Sequence, residues 1–98
     1  MPTQPLHPEQ QPDAAALITY PCRFPIKVMG ERSDTFLPEM IAVVQGFDPD
    51  MPADGVEIRH SSGGKYTGLT LHVWVTSRAQ LDDVYRALSG HPRVKVTL

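Results

Sequence analysis

Few side chains in this sequence have the types and spacing that chemistry needs. Cys22, the single cysteine, stands between Pro21 and Arg23. A neighbouring cation favours the thiolate, so one reading is a small thiol-dependent enzyme or redox module centred on Cys22. Nucleophilic catalysis also needs a base, and no pattern places a histidine beside this thiol; an inert cysteine is the expectation. His7, His60, His72 and His91 lack metal-ligand spacing, so neither a metal nor a cofactor is expected. Asp82 and Asp83 are adjacent, and adjacent helical side chains diverge by about 100°, which rules out a paired-carboxylate site. No catalytic residue emerges.

The loop Ser61-Ser62-Gly63-Gly64-Lys65-Tyr66 invites comparison with a phosphate-cradling P-loop. The mechanics fail. Arg59 stands where the first glycine belongs, Tyr66 replaces the metal-binding hydroxyl, and a strand pattern follows instead of a helix. What remains is either a hairpin turn that needs glycine or a modest nest of backbone N–H groups for an anion. On this reading Ser61, Ser62, Gly64, Lys65 and Tyr66 are candidate ligand or partner contacts, since loops on a rigid scaffold often carry function.

The elements around the loop follow from periodicity. Phe24, Ile26 and Val28 alternate with Arg23, Pro25 and Lys27, a half-buried strand over Arg23–Met29 that Gly30 ends. Ser33 or Asp34 caps the next helix, whose apolar stripe is Phe36, Met40, Val44 and Phe47, closed by Gly46 and Asp48-Pro49-Asp50. Val56–His60 reads as a strand with Val56 and Ile58 inward. Tyr66–Val75 is the next, with Leu69, Leu71, Val73 and Val75 inward. Ser77 and Gln80 form a capping-box pattern ahead of the stripe Leu81, Val84, Tyr85 and Leu88. In the last strand Val94, Val96 and Leu98 point inward, alternating with Lys95 and Thr97. The order β-α-β-β-α-β with right-handed crossovers makes an α+β, ferredoxin-like two-layer sandwich: two helices on one face of a four-stranded antiparallel sheet.

Several of these segments resemble a known family. Tyr20-Pro21-Cys22-Arg23-Phe24-Pro25-Ile26-Lys27-Val28-Met29-Gly30 is similar to the opening of the DUF493 family of small bacterial proteins, also called the YbeD-like or UPF0250 family. So are Ser61-Ser62-x-Gly64-Lys65-Tyr66, Gln80-Leu81 with Tyr85-x-x-Leu88, and Val94-Lys95-Val96-x-Leu98. The resemblance covers residues 20–98; Gly68, where the family often has Ser, is a departure. It implies a fold like the ACT-type regulatory domains that bind small effectors and pair through their sheets. It implies no catalytic residue.

Strand parity suggests where a partner would sit. With Phe24, Ile26 and Val28 under the helices, the opposite face shows Arg23, Lys27, Arg59, Arg93 and Lys95 against one acid, Glu57, together with Thr70, His72 and Trp74. A basic face with an exposed tryptophan suits a protein partner, a small anionic effector or a second copy of the chain. Lys27, His72, Trp74 and Lys95 are its candidate contacts. RNA-recognition modules share the topology but stack bases on several aromatics of the central strands. Here the matching strand offers Trp74 alone, and residues 20–98 carry nine Lys and Arg against nine Asp and Glu, so a nucleic-acid partner is not expected. Residues 1–18, with Pro2, Pro5, Pro8 and Pro12 among glutamines, read as a disordered Pro/Gln-rich tail, and 19–98 as one domain. Without a basic start, an apolar leader or a run long enough to span a bilayer, a reducing cytoplasm is the expected compartment. The reading is a non-catalytic regulatory or adaptor domain.

Overall fold

The computed structural model describes residues 18–98; the tail reading lies almost wholly outside them. β1 (Cys22–Glu31), α1 (Phe36–Gln45), β2 (Glu57–His60), β3 (Tyr66–Val75), α2 (Arg78–Ser89) and β4 (Val94–Thr97) follow in the expected β-α-β-β-α-β order, with one 3-10 turn at Ala53–Gly55. The sheet runs β2-β3-β1-β4 and every pairing is antiparallel. Ile26 and Val28 of β1 and Leu69, Leu71, Val73 and Val75 of β3 are fully buried. They meet Phe36, Met40 and Val44 of α1 and Leu81, Val84 and Leu88 of α2. Period-2 strands and period-3.6 helices thus pool their apolar sides in one layer between helices and sheet.

The local signals hold in part. Ser77 caps α2, its Oγ accepting the Gln80 N–H at 3.1 Å. The reciprocal half of the capping box is shifted: Gln80 Oε1 accepts from the Thr76 N–H at 2.7 Å. At α1 the N-cap is Thr35, not Ser33 or Asp34. Ser33 still contributes, because its Oγ accepts the Phe36 N–H at 3.2 Å. Pro25 sits inside β1, opposite His72. Lys27 exchanges both backbone hydrogen bonds with Leu98 and the β4 register extends no further, so by alternation the N–H that Pro25 lacks faces the side without a strand.

Three expectations fail. Gly30 does not end β1, which pairs with β3 out to Glu31–Tyr66. Gly30 is needed because a Cβ there would lie 2.3 Å from the Arg93 carbonyl oxygen and 2.7 Å from the Phe36 ring. Next to it the β4 register jumps: Met29 opposes Val96 while Gly30 opposes Val94, leaving Lys95 as the extra residue of a β-bulge. The bulge reverses the alternation in β4. Val94 faces the core, but Val96 and Leu98 turn to the outer face and are 45% and 72% exposed. The third failure is in β2, which begins at Glu57 rather than Val56. Ile58 opposes the buried Leu69 and shares its face, yet it is 50% exposed because no helix covers that edge of the sheet.

Candidate functional site

The uncovered edge is where the structure opens. A cleft of about 820 Å³ lies between the N-terminal end of α1, the inner face of β2 and the β2–β3 loop. Phe36 and Leu69, both buried, form its floor with the half-exposed Ile58. Arg32, Ser33 and Asp34 line it from the β1–α1 connection, His60 and Thr67 from the strands, and Gly64 and Lys65 from the loop. The β2–β3 turn is held rigidly. The Ser61 carbonyl accepts the Gly64 N–H at 2.8 Å, the Ser61 N–H donates to the Tyr66 carbonyl at 2.9 Å, and Ser61 Oγ accepts the Tyr66 N–H at 3.1 Å. Gly64 has φ +73°, a left-handed conformation that costs a residue with a side chain about 1–2 kcal/mol. The Arg32 N–H donates to the Lys65 carbonyl at 2.8 Å, which ties the loop to the entrance of α1.

Electrostatically, the cleft pairs free cations with an apolar floor. Neither Arg32 nor Lys65 has an ion-pair partner among the described residues. A β-carbon on Gly64 would come within 3.5 Å of Arg32 Nη1, so the guanidinium sits against the loop. Lys65 Nζ stands 5.4 Å above the Tyr66 ring. His60 Nδ1 and Thr67 Oγ1 are 3.0 Å apart across β2 and β3. Glu31 and Asp34 also line the cleft, so its formal charges balance.

The outer face of the sheet differs from the one drawn from strand parity. Lys27, Thr70, His72 and Trp74 do lie there, on matching parity in β1 and β3. Arg23 lies over the Trp74 indole at 5.8 Å and donates to the His72 carbonyl at 3.1 Å. Its guanidinium is also 3.7 Å from Asp48, a buried acid that accepts the Trp74 N–H at 3.0 Å. β2 pairs no further than Glu57–Thr70, so Asp48 and Arg23 serve the stretch of β3 that lacks a strand on that side. His72 Nε2 is 2.8 Å from Glu57. Arg93 is not on this face at all: it pairs with Glu39 of α1 at 2.7 Å. Lys95 occupies the bulge, and Val96 and Leu98 take the outward places. The face is therefore less cationic and more apolar than strict alternation implies.

The nine candidate residues thus fall into two groups. Gly64 and Lys65 line the cleft; Ser61 is consumed in holding the turn, Ser62 is exposed beside it, and Tyr66 supports Lys65. Lys27, His72 and Trp74 belong to the opposite side of the sheet, with Lys95 at its margin. Sequence reasoning missed Arg32, His60 and Ile58 as cleft residues. The signal for the last two was their shared parity in a short edge strand, but only the helix positions reveal that nothing covers them. Cys22 opposes the buried Val75 and packs against the core. Alternation turns Arg23, its supposed activator, to the other face. No group of three or more His, Cys, Asp or Glu able to hold a metal occurs among the described residues, and none of their helices is long and apolar enough to cross a membrane.

The family model described as "Protein of unknown function (DUF493)" matches residues 15–98. A UPF0250 protein of Paraburkholderia phytofirmans is 55% identical over 83 residues, covering 85% of this chain and 93% of the relative. UPF0250 protein RSc0326 of Ralstonia nicotianae is 53% identical over 87 residues, covering 89% and 90%. Among solved structures, the solution structure of protein HP0495 from H. pylori superposes with a TM-score of 0.67 over 97% of this chain and 98% of that one. At 17% identity that likeness speaks for the fold alone.

Proposed function

The chain belongs to the DUF493 (UPF0250) family, and we propose that it is a non-catalytic regulatory or adaptor domain whose cleft beside α1 takes a small anionic effector bearing an apolar group. One observation carries this reading: Arg32 and Lys65, both without an ion-pair partner among the described residues, border a floor in which Ile58 is left uncovered. An apolar surface with a few convergent polar groups is the usual composition of a small-molecule site, and about 820 Å³ falls within the usual range of roughly 300–1,000 Å³. The loop and the α1 entrance are joined by the Arg32–Lys65 backbone bond, so a ligand there would bridge both β-hairpin and helix. That contact gives binding a route to altered rigidity. Glu31 and Asp34 favour a compact anion over an extended polyanion, which agrees with the neutral charge balance of residues 20–98.

The test is capture of small metabolites from a cell extract on the purified protein, beside Arg32→Glu and Lys65→Glu, with mass spectrometry of the eluate. The expected result is an anionic compound retained by the parent and lost from both variants. An identical eluate from all three, or retention of cations only, would refute the assignment.

A further inference from the structure

The outer face of the sheet carries a second concavity, on the far side of the β2–β3 hairpin from the cleft. We infer that this groove docks an acidic peptide segment in extended conformation, with a large apolar residue seated over Gly68. The groove has a volume of about 410 Å³ and is walled by Met29, Val96, Leu98, Lys27, Arg59 and Thr70. Its depth comes from Gly68, which stands opposite both Met29 and Arg59 on the outward parity and offers no side chain. Its apolar wall comes from the bulge at Lys95, which brings Val96 beside Met29; Met29 is 41% exposed.

Charge complementarity selects the occupant. Lys27 and Arg59 have no ion-pair partner among the described residues, whereas the one acid of the groove, Glu57, is held by His72 at 2.8 Å. Gly68 and Thr70 therefore floor the groove between two unmatched cations, and Met29 and Val96 form an apolar wall on the β4 side of Gly68. Lys27 and Arg59 are two strands and two residues apart, about 12 Å from strand spacings of about 4.8 Å and a rise of about 3.3 Å per residue. An extended segment places residues i, i+2 and i+4 on one face over about 13 Å. Acidic, apolar, acidic in those three places would put a carboxylate at each cation and the apolar side chain over Gly68. A second copy of the chain does not supply this pattern. Its two acidic pairs at that spacing, Glu9 with Asp13 and Asp50 with Asp54, are centred on Gln11 and Pro52.

The probe is a fluorescein-labelled peptide Gly-Glu-Ser-Leu-Ser-Glu-Gly, read by polarisation, against versions with both Glu as Lys or with Leu as Ser. The variant is Gly68→Leu, where an added Cβ meets nothing nearer than 3.6 Å. Saturable binding of the acidic peptide is expected, weakened by salt and reduced about tenfold in each control peptide and in Gly68→Leu. Lys27→Glu with Arg59→Glu should abolish it. No saturable binding, equal affinity for the Lys version, or indifference to Gly68→Leu in a variant that melts like the parent would overturn the inference. So would concentration-dependent dimerisation, or sedimentation with anionic phospholipid vesicles, that Gly68→Leu removes while peptide binding stays absent.

Discussion

Replacing Gly30 with alanine should destabilise the domain far more than the same change at Gly68, although both glycines lie inside strands and neither has a left-handed φ. At Gly30 the new methyl would fall 2.3 Å from the Arg93 carbonyl oxygen and within 2.8 Å of two Phe36 ring carbons. Each is well short of van der Waals contact, and neither obstacle yields easily. The carbonyl belongs to the backbone entering β4, and the ring is buried at 1% exposure. Overpacking of this kind costs about 1–3 kcal/mol, and the stiffer unfolded chain of the alanine variant returns about 0.4–1 kcal/mol. The net loss is about 1.3 kcal/mol, a fall in Tm of roughly 5–10 °C for a domain of this size. At Gly68 the nearest atom is 3.6 Å away, so only the unfolded-state gain operates, and Gly68→Ala should match or slightly exceed the parent. Thermal and urea melts followed by circular dichroism decide it. If Gly30→Ala melts within two or three degrees of the parent, or Gly68→Ala falls with it, the close-approach account of the bulge is wrong.

Other outcomes follow from single contacts. Asp48→Ala strands the Trp74 N–H and removes an ion-pair partner of Arg23; a loss of about 1.5–3 kcal/mol and a changed Trp74 emission spectrum are expected in a urea titration. Ser77→Ala removes the cap of α2 and should cost about 1 kcal/mol, seen as a lower urea midpoint with an unchanged slope. Ile58→Glu should cost only about 1 kcal/mol, since half of that side chain is already exposed. It should still prevent anion binding in the cleft, which isothermal titration calorimetry with the captured effector would show.

The alternation in β3, the two helical stripes and the Ser77 cap are local regularities, and the ferredoxin-like fold was legible from them. What was not legible depended on contacts between distant segments. Gly30 read as a strand breaker because glycine ordinarily weakens strands. Its reason for being there, the carbonyl of Arg93, lies 63 residues on. The resulting bulge moved Val96 and Leu98 outward, and Arg93, which lies just before β4, pairs with Glu39 of α1; no period-2 reading can anticipate either. Asp48 read only as part of the Asp48-Pro49-Asp50 helix stop, yet it is buried and satisfies the free edge of β3. Half of the candidate site was visible as the Gly64-Lys65 loop. The other half, Arg32 and the bare inner side of β2, depends on how far α1 reaches across the sheet.

The cleft is tested most directly by an amide NMR titration with phenylacetate, using benzylammonium as the control of opposite charge. Saturable shifts are expected for phenylacetate at Arg32, Gly64, Lys65 and Thr67, with small or absent changes at Lys27 and Gly68 and no matching response to benzylammonium. Equal shifts with the cation, or phenylacetate shifts confined to the outer face of the sheet, would contradict it.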